Sequence, residues 1–481
     1  MAMISVRPDR RTSRIKGGII MPGTESDRIV NEVMRRFRER TVKSAALHPE
    51  AARYMPGGHT RDSVSYKPYA AFIERGRGCR ITDIDGNEYI DFLNNYTSLI
   101  HGHCDPDITA AVAAQLEKGS VLCTPSVLQT ELAKLLCGRI PSIDQIRFTN
   151  SGTEATMFAM RVARAVTGKD MLIKIEGAYH GTQDDAKVSL IPDFAPGDLP
   201  KPHLEGAGIP RSTLQNIVIA PFNNLDAAEI LMKRHGDTLA GMIVEPYLAS
   251  MGTIVPRPGY LKGLRALCDR YGILLIFDEV QSFRASTGGM QVRENAIPDI
   301  SAVGKIIGGG YPVGAVGSSR KNMERFTLDM LNPDAITQAG TFNGNEVTMA
   351  AGLAAMRKFD AKAVEYANGL GKRMMDGFTG VFRELGLRCQ ATGVGSQCNI
   401  NFSDKEISNA LDYATALIPC LELQTLLHVE LLNRGIFSAS RNEFVISTPM
   451  TEKDVDVCVR KVKESFEFLM PYIKEKTPHL L

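Results

Sequence analysis

The sequence of 481 residues contains no tryptophan and no long uninterrupted apolar run. No stretch approaches the ~18 consecutive apolar residues that a membrane-spanning helix needs, so we expect no membrane partner. An excess of one charge is also missing, because 56 Lys and Arg residues face 54 Asp and Glu residues and the formal net charge is +2. A nearly neutral chain offers no electrostatic footprint for nucleic acid, and we expect no nucleic-acid partner.

Cysteine is present but scattered, with nine residues and no C-x-x-C spacing. An odd and dispersed set indicates neither a disulfide framework nor a zinc site, so no metal is expected. Free thiols are typical of a reducing compartment, which predicts a cytoplasmic protein. Residues 1–25 are polar and basic, without an apolar core followed by small residues. We interpret them as a flexible N-terminal arm rather than a secretory signal.

The rest of the composition is typical of a globular chain, with 44% apolar and 23% charged residues. Its length allows roughly three domain-sized units. Residues 25–54 have helical periodicity, and residues 79–92 indicate a β-hairpin that turns at Asp85-Gly86. Strands alternate with helices from about residue 109 to 340, which favours a parallel sheet covered by helices on both faces. A long helix is expected over residues 346–367.

A single lysine stands where an apolar, strand-like run enters a glycine-rich loop. Lys305 has small and apolar neighbours and is followed by Gly308-Gly309-Gly310. Desolvation lowers the pKa of an ammonium group, and a partly neutral amine can attack a carbonyl to form a Schiff base. The glycines let the backbone approach a bulky planar group closely. The alternative is a lysine that only extends its charge to solvent above the loop.

Two adjacent carboxylates, Asp278 and Glu279, end the apolar run of residues 273–277. Such a run is typical of a strand that is buried on both faces of a parallel sheet. Because side chains alternate along a strand, the two carboxylates point to opposite faces. One of them can therefore lie in a pocket at the carboxyl edge of the sheet, where ligands bind in this class of fold. A buried carboxylate needs a cation, which a protonated pyridine nitrogen would supply. Capping of the following helix is the alternative.

Residues 145–155 indicate a strand, a tight turn and the start of a helix that continues to about Val166 and stops at Gly168. The helix begins near Ser151 and Thr153, whose hydroxyl groups add to the free backbone N–H groups of its first turn. Together they predict an anion site of the kind that binds a phosphate. A capped helix without any ligand is the alternative.

With these motifs together, the chain resembles the class III aminotransferases of fold type I, which use pyridoxal 5'-phosphate (PLP). The resemblance runs from about Tyr54 to the C-terminus. It is greatest for the branch that contains glutamate-1-semialdehyde aminomutase and bacterial β-amino acid transaminases. It implies an α/β fold: a large domain with a mostly parallel sheet and helices on both faces, plus a smaller α+β domain from both chain ends. The implied boundaries are residues 26–105 and 346–481 for the small domain and 106–345 for the large one.

The resemblance also implies which residues surround the cofactor. Lys305 and Asp278 would be catalytic, the first through the Schiff base and proton transfer, the second by pairing with the pyridinium nitrogen. Tyr179 would stack on the ring beside His180, and Gln281 would contact the phenolic oxygen. The full set of cofactor contacts implied in this way is Ser151, Gly152, Thr153, Tyr179, His180, Glu245, Asp278, Gln281, Lys305 and Thr341.

Two further implications concern the partner subunit and the substrate. Thr341 would reach the phosphate in the neighbouring subunit, which predicts a homodimer with shared active sites. Arg61 occupies the place where β-amino acid transaminases bind a substrate carboxylate, and Arg441 is a second candidate for that role. A guanidinium fits a carboxylate bidentately. A surface arginine is the alternative for Arg61. The family's glutamate at Glu245 lies near the cofactor and can pair with an arginine.

Two departures from the family pattern bear on the substrate. Gln281-Ser282-Phe283-Arg284 stands where many ω-transaminases carry Gly-Phe-Gly-Arg, which agrees with the aminomutase-like branch. However, residues 56–62 do not match the aminomutase pattern, which argues against glutamate-1-semialdehyde as substrate. We therefore expect an aminotransferase that moves an amino group from an amine donor, such as a β-amino acid, to pyruvate or 2-oxoglutarate. An aminomutase or another PLP reaction, and a PLP-binding protein without turnover, are the alternatives.

Overall fold

The computed structural model describes residues 24–195, 197, 199–326 and 331–481. The arm predicted for residues 1–25 lies almost entirely outside these ranges. Within them the strands are β1 (Ile73–Arg77), β2 (Arg80–Asp83), β3 (Glu88–Asp91), β4 (Gln145–Thr149), β5 (Met171–Ile175), β6 (Ile217–Ala220), β7 (Leu239–Val244), β8 (Leu274–Asp278), β9 (Ile300–Gly304), β10 (Gly314–Ser318), β11 (Gln390–Val394), β12 (Gln397–Asn401), β13 (Ile436–Phe437) and β14 (Glu443–Val445).

The helices of the same residues fall between and around these strands. They are α1 (Glu25–Arg40), α2 (Val42–Tyr54), α3 (Asn94–Thr97), α4 (Pro106–Leu116), α5 (Val127–Arg139), α6 (Gly152–Thr167), α7 (Leu225–His235), α8 (Tyr260–Tyr271), α9 (Gly289–Arg293), α10 (Arg320–Met323), α11 (Glu346–Lys358), α12 (Ala361–Leu385), α13 (Ala410–Leu417), α14 (Leu421–Asn433) and α15 (Glu452–Lys476).

The large domain is organised around a seven-stranded sheet with the order β4-β10-β9-β8-β7-β5-β6. The pairs β9–β8, β8–β7, β7–β5 and β5–β6 are parallel. Strand β10 is antiparallel to both of its neighbours, β4 and β9. The prediction of a mostly parallel sheet is therefore confirmed.

Both faces of this sheet are buried under helices. Leu275 and Phe277 of β8 belong to the same apolar cluster as Leu264 of α8. Ile276, between them in the chain, packs in a different cluster with Phe158 of α6. The alternation of side chains along β8 thus divides its neighbours between two helical layers. This confirms the predicted helices on both faces.

The smaller domain combines the two ends of the chain, as expected. Strands β1, β2 and β3 form a four-stranded sheet with β13, whose Ile436 pairs with Ile90 in parallel register. A three-stranded sheet of β11, β12 and β14 lies in the same C-terminal part. Helix α1 packs on α14 and α15. The exact domain boundaries stay a prediction.

Two of the predicted helices have different bounds in the structure. The helix over residues 25–54 is interrupted at Thr41, so that α1 and α2 are separate. The single helix over residues 346–367 is wrong: α11 ends at Lys358, and α12 begins at Ala361 and continues to Leu385. The Asp360 side chain accepts a hydrogen bond from Ala363 N and starts the second helix. Aspartate favours such N-cap positions over helix interiors.

One described stretch, Ala410–Asn433, is long and apolar enough to cross a membrane by length and composition alone. Of the 18-residue window in this stretch that meets the hydropathy criterion, 56% is buried inside the protein. Leu423, Leu427 and Leu431 of α14 are fully buried in the main apolar cluster. Because core helices pass the same test, this is weak evidence for a membrane segment.

Candidate active site

Three chain segments bring the predicted chemistry to one edge of the large sheet. Strand β8 ends at Asp278 and strand β9 ends at Gly304, directly before Lys305. Strand β4 ends at Thr149 and leads through a short turn into α6. Parallel strands place their carboxyl ends together, which is why residues more than a hundred positions apart share one site.

These segments surround a cavity of about 360 Å³. It has the size expected of a small-molecule site. We call it the reacting cavity, and its lining includes Arg61, Asn95, Tyr96, Ser98, Asn150, Gly152, Thr153, Thr156, Tyr179, His180, Gly181, Glu245, Asp278, Val280, Gln281, Lys305, Gly310, Tyr311, Pro312 and Val313.

Lys305 occupies the position that the sequence indicated, at the first residue of a tight turn after β9. Its backbone is left-handed, with a φ of 50°, which is uncommon for a residue with a side chain. Its Nζ donates a short hydrogen bond to Gln281 Oε1. Burial lowers the pKa of the Lys305 ammonium group to about 8. A substantial share of this amine is therefore neutral near pH 8, as a nucleophile or proton acceptor requires.

Asp278 faces the reacting cavity with only 5% of its surface exposed. Its Oδ2 lies 2.8 Å from His180 Nδ1, and its Oδ1 accepts a hydrogen bond from Val280 N at 3.0 Å. Burial lowers the pKa of His180, which keeps its imidazole neutral. Because a carboxylate can only accept, the proton belongs on Nδ1. His180 thus orients Asp278, and His180 Nε2 is buried without a partner among the described residues.

The N-terminus of α6 supplies backbone N–H groups to the wall of the cavity through Gly152 and Thr153. Gly181 borders this point, and a Cβ added there would lie 2.5 Å from Thr153 Oγ1. Ser151 differs from the prediction, because it does not line the cavity. Its hydroxyl caps the helix by accepting from Glu154 N and donates to Glu154 Oε2 at 3.1 Å. The Ser151 hydroxyl is therefore already occupied by hydrogen bonds within the first turn of α6.

Tyr179 and Glu245 form a further part of the wall. Tyr179 lines the cavity and keeps 42% of its surface exposed. Its backbone N donates to Glu245 Oε1 at 2.8 Å. Burial, followed by the charge of Asp278, raises the pKa of Glu245 to about 8. The predicted arginine partner for Glu245 does not appear among its described contacts, and the Tyr179 amide takes that place.

Glu443 is a residue that the sequence reasoning missed. Its carboxylate is fully buried and accepts from Gln281 Nε2 at 3.3 Å and from Gln397 Nε2 at 2.6 Å. It also forms an ion pair with Arg441. Glu443 therefore holds the side chain that contacts Lys305, from a strand of the other domain. The available signal was an acidic residue at the start of an apolar strand, which is too common to single out.

The two candidate substrate arginines are separated in the structure. Arg61 lines the reacting cavity, and its Nη2 donates to Asn95 Oδ1 at 2.7 Å. Arg441 does not line that cavity, because its guanidinium is held by Glu443. Both guanidinium groups lie near the Tyr96 ring, at 5.6 Å for Arg61 and 5.1 Å for Arg441.

Other expected residues lie elsewhere. Thr341 is exposed and does not line the reacting cavity of its own chain. Two histidines before α4 lie outside the cavity as well, and one of them, His101, contacts Thr448 Oγ1 and Ala355 O, each at 3.0 Å. His103 Nε2 lies 2.7 Å from Asp91 Oδ2. Both histidines thus have structural partners.

A family model described as aminotransferase class-III matches residues 62–430, which is more than half of the chain. The chain belongs to this family. It is therefore an enzyme of the class III aminotransferases, as the resemblance implied, and its fold is that of the fold type I transaminases.

Similar proteins carry two kinds of name. The chain is 37% identical over 434 residues to glutamate-1-semialdehyde 2,1-aminomutase 2 of Halalkalibacterium halodurans, covering 89% of this chain and 98% of the relative. An ω-transaminase structure from Sphaerobacter thermophilus is 40% identical, with a TM-score of 0.86 and coverage of 90% and 99%. A β-phenylalanine aminotransferase structure from Variovorax paradoxus is 32% identical, with a TM-score of 0.83 and coverage of 92% and 98%.

Class III aminotransferases use PLP, and a transaminase structure with PLP bound shares 34% identity with this chain. The residues present fit this cofactor. The α6 N-terminus and the cradle at Gly181 suit a phosphate, which helix N-termini bind. Lys305 and Asp278 supply an amine and a carboxylate to the same cavity. The donor set thus matches an aldehyde and a basic ring nitrogen.

Proposed function

We propose that this class III enzyme is an aminotransferase that moves an amino group from an amine donor, with β-amino acids as candidates, to pyruvate or 2-oxoglutarate in a ping-pong cycle. The observation that carries the proposal is the reacting cavity itself. It brings the Lys305 amine, the Asp278 carboxylate and the Arg61 guanidinium to one space. The first two suit the cofactor, and the third suits a substrate carboxylate.

PLP, when bound, supplies an electron sink for the negative charge that develops on the donor carbon. Lys305 would hold the cofactor and, once released, move the proton between the donor carbon and the cofactor's C4' carbon. Its lowered pKa, about 8, suits a group that must both accept and return a proton near neutral pH. Gln281 accepts from Lys305 Nζ and so orients the amine.

Asp278 would keep the pyridine nitrogen protonated. Its carboxylate is buried, and His180 holds one oxygen without adding a positive charge. The negative charge of Asp278 is therefore left to stabilise a cation in the cavity. Gly152 and Thr153 at the start of α6 would bind the phosphate, and Tyr179 would cover the ring.

Arg61 would bind the donor's carboxylate. Its described hydrogen bond, to Asn95 Oδ1, leaves other N–H groups of the guanidinium for a ligand. Arg441 is already paired with Glu443. For this reason we assign the carboxylate to Arg61 first and Arg441 second.

Two further expectations, on the assembly and the location of the protein, complete the proposal. We infer a homodimer in which the exposed Thr341 completes the partner's phosphate site, and a cytoplasmic location. Measurement of the mass in solution and of the activity of mixed subunits carrying Thr341→Ala tests the shared site.

A second candidate is an aminomutase, which isomerises one substrate. The observation in its favour is the 37% identity to a relative named glutamate-1-semialdehyde 2,1-aminomutase. The departure at residues 56–62 argues against that substrate.

One experiment separates the two candidates. The purified enzyme with PLP is given α-, β- and ω-amino donors, each with and without pyruvate or 2-oxoglutarate, and glutamate-1-semialdehyde alone. The aminotransferase proposal expects product only when a keto acid is present, in an amount equal to the amino acid formed from it. Conversion of glutamate-1-semialdehyde without any keto acid, together with inactivity on the donor panel, would replace the aminotransferase by the aminomutase.

A further inference from the structure

A second and larger cavity, of about 770 Å³, lies next to the reacting cavity. We call it the distal cavity. Helix α1, the loop after Arg61, helix α14 and the segment before β14 surround it. Its lining includes Val30, Met34, His59, Asp62, Ser63, Ser65, Tyr66, Lys67, Tyr96, Leu417, Leu421, Glu422, Gln424, Thr425, Leu426, His428, Ser440 and Arg441. The site residues assigned to PLP are not among them.

Tyr96 lines both cavities and therefore stands between them. Its ring lies near the guanidinium of Arg61, which lines the reacting cavity, and near that of Arg441, which lines the distal cavity. Its hydroxyl donates a short hydrogen bond to Ser63 O. The aromatic ring and two cations thus form the wall between the two spaces, and a guanidinium is attracted electrostatically to an aromatic face.

The backbone that carries Tyr96 is unusual. The four residues of α3, from Asn94 to Thr97, have φ values of 49°, 48°, 53° and 75°. This is a left-handed turn made without glycine, a backbone conformation that is unfavourable for residues with a side chain. The surrounding protein holds it: Asp91 Oδ1 accepts from Asn94 N at 2.9 Å, and Asn94 Nδ2 donates to Val445 O at 2.8 Å. Strain of this kind concentrates where a side chain must be aimed at a functional site.

The distal cavity also contains a polar group that lacks a partner. His428 is 2% exposed, and neither of its ring nitrogens has a hydrogen-bond partner among the described residues. Burial lowers its pKa to about 4, so its imidazole is neutral and offers one donor and one acceptor. Leu417, Leu421 and Leu426 supply apolar walls beside it. Such a space suits an apolar chain with an oxygen group that can both donate and accept.

We propose that the distal cavity is a subsite for the apolar chain of an extended amine donor, and that Tyr96 determines which donors reach it. The inference rests on the proposed aminotransferase function for the identity of the reacting end. A donor held at Lys305 would place its chain past the Tyr96 ring, between α1 and α14. The volume of the distal cavity, about twice that of the reacting cavity, sets the size of chain that fits.

Binding tests the subsite without any turnover. The holoenzyme is titrated with 1-octanol, which carries an alkyl chain and a hydroxyl group but no amine, in an isothermal titration calorimeter. We expect one saturable site for 1-octanol per chain. Met34→Trp should lower the affinity of this site at least about tenfold, because each methylene group that no longer fits costs about fourfold in affinity. Asn31→Trp, which adds the same ring to the exposed side of the same helix, is the matched control.

The outcomes of this titration are distinct. Equal affinity in Met34→Trp and Asn31→Trp, or a signal that does not saturate, would overturn the subsite. Saturable binding that appears only after removal of residues 1–23 would assign the distal cavity to that segment of the chain instead. Because no reaction is needed, a failure here is separate from a failure of the aminotransferase proposal.

Turnover tests the role of Tyr96. The specificity constants kcat/KM are measured for straight-chain amines from propylamine to decylamine. These amines lack a carboxylate, so their binding does not depend on Arg61. We expect Tyr96→Gly, which suits the left-handed backbone, to raise the decylamine-to-propylamine ratio at least about tenfold. Tyr96→Phe should keep the ratio of the wild type, since the ring remains. An unchanged ratio in Tyr96→Gly, or the same rise in both variants, would contradict the role of the ring as the wall.

Discussion

Asp278 and Glu279 are adjacent carboxylates at the end of one strand, yet they have opposite surroundings. Asp278 lines the reacting cavity and contacts a neutral His180. Glu279 is fully buried on the other face, where its two oxygens accept from Ser282 Oγ, from the backbone N of Met290 and Gln291, and from Gln291 Nε2. One carboxylate has a site left for a ligand, whereas the other is saturated by the protein.

The difference shows why a buried charge near a site is not by itself a catalytic group. Burial raises the pKa of Glu279, and the four donors around it act against that rise. Its hydrogen bonds hold the segment after β8 and α9 in place. Asp278 has fewer protein donors, which leaves its charge available to a cation from outside the chain. Variants of these two carboxylates and of the groups around them test this division.

Lys305→Ala removes the amine on the Asp278 side and should abolish turnover. Loss of the proton-moving group alone costs about a hundredfold to ten-thousandfold, and the attachment of the cofactor is lost as well. The visible absorbance of lysine-bound PLP should disappear, while the phosphate contacts still allow the cofactor to bind. Spectra and steady-state rates check this. A variant with the same absorbance and rate as the wild type would mean that another lysine serves.

Asp278→Asn should lose most of the activity, about a hundredfold, while the protein remains folded. An amide cannot balance a pyridinium charge, so the ring nitrogen would lose its proton. Rates with a saturating donor, combined with thermal unfolding, check the two parts separately. Turnover near that of the wild type would show that Asp278, like Glu279, serves only the structure.

Arg61→Ala should reduce kcat/KM for donors that carry a carboxylate by roughly tenfold to a hundredfold. Removal of a hydrogen bond to a charged group costs about 1.5–3 kcal/mol. Arylalkylamines without a carboxylate should be spared. Specificity constants for a β-amino acid and for such an amine, measured in both proteins, decide the matter. Equal losses on both donors would make Arg61 a structural residue.

Glu279→Gln should lower stability with little effect on turnover, the reverse of Asp278→Asn. The NH2 group of the new amide would face the backbone N–H of Met290 or Gln291, which can only donate, at a cost of about 1–3 kcal/mol. Thermal unfolding should therefore begin a few degrees lower than in the wild type. A large loss of activity in a variant that unfolds at the wild-type temperature would contradict the structural role of Glu279.

Glu245→Gln extends the comparison to a third buried carboxyl group, which has few donors. The pKa of Glu245 is about 8 when folded and near 4.5 when unfolded, so the folded state holds an extra proton between these values. The wild type therefore loses stability as pH rises through this range, and the amide does not. The Tm of Glu245→Gln minus the Tm of the wild type should be a few degrees larger at pH 8.5 than at pH 5.5. An advantage that is independent of pH would refute the raised pKa.

Much of the fold followed from local patterns. The strand that ends at Asp278, the strand before Lys305 and the helix that stops at Gly168 are where the sequence indicated. The long helix after residue 346 was wrong, because Asp360 starts a new helix inside a segment whose apolar periodicity continues.

Local sequence patterns were enough to predict the parts of the site that depend on neighbours in the chain. Alternation along β8 predicted that Asp278 and Glu279 lie on opposite faces, and the apolar surroundings of Lys305 predicted a lowered pKa for its ammonium group. The folded protein was needed to show that Glu443 holds Gln281, that Arg441 is already paired, and that Tyr96 divides two cavities. The contacts of Glu443 with Gln281 and of Arg441 with Tyr96 join residues more than a hundred positions apart. Their geometry depends on how two domains pack, which no local pattern encodes.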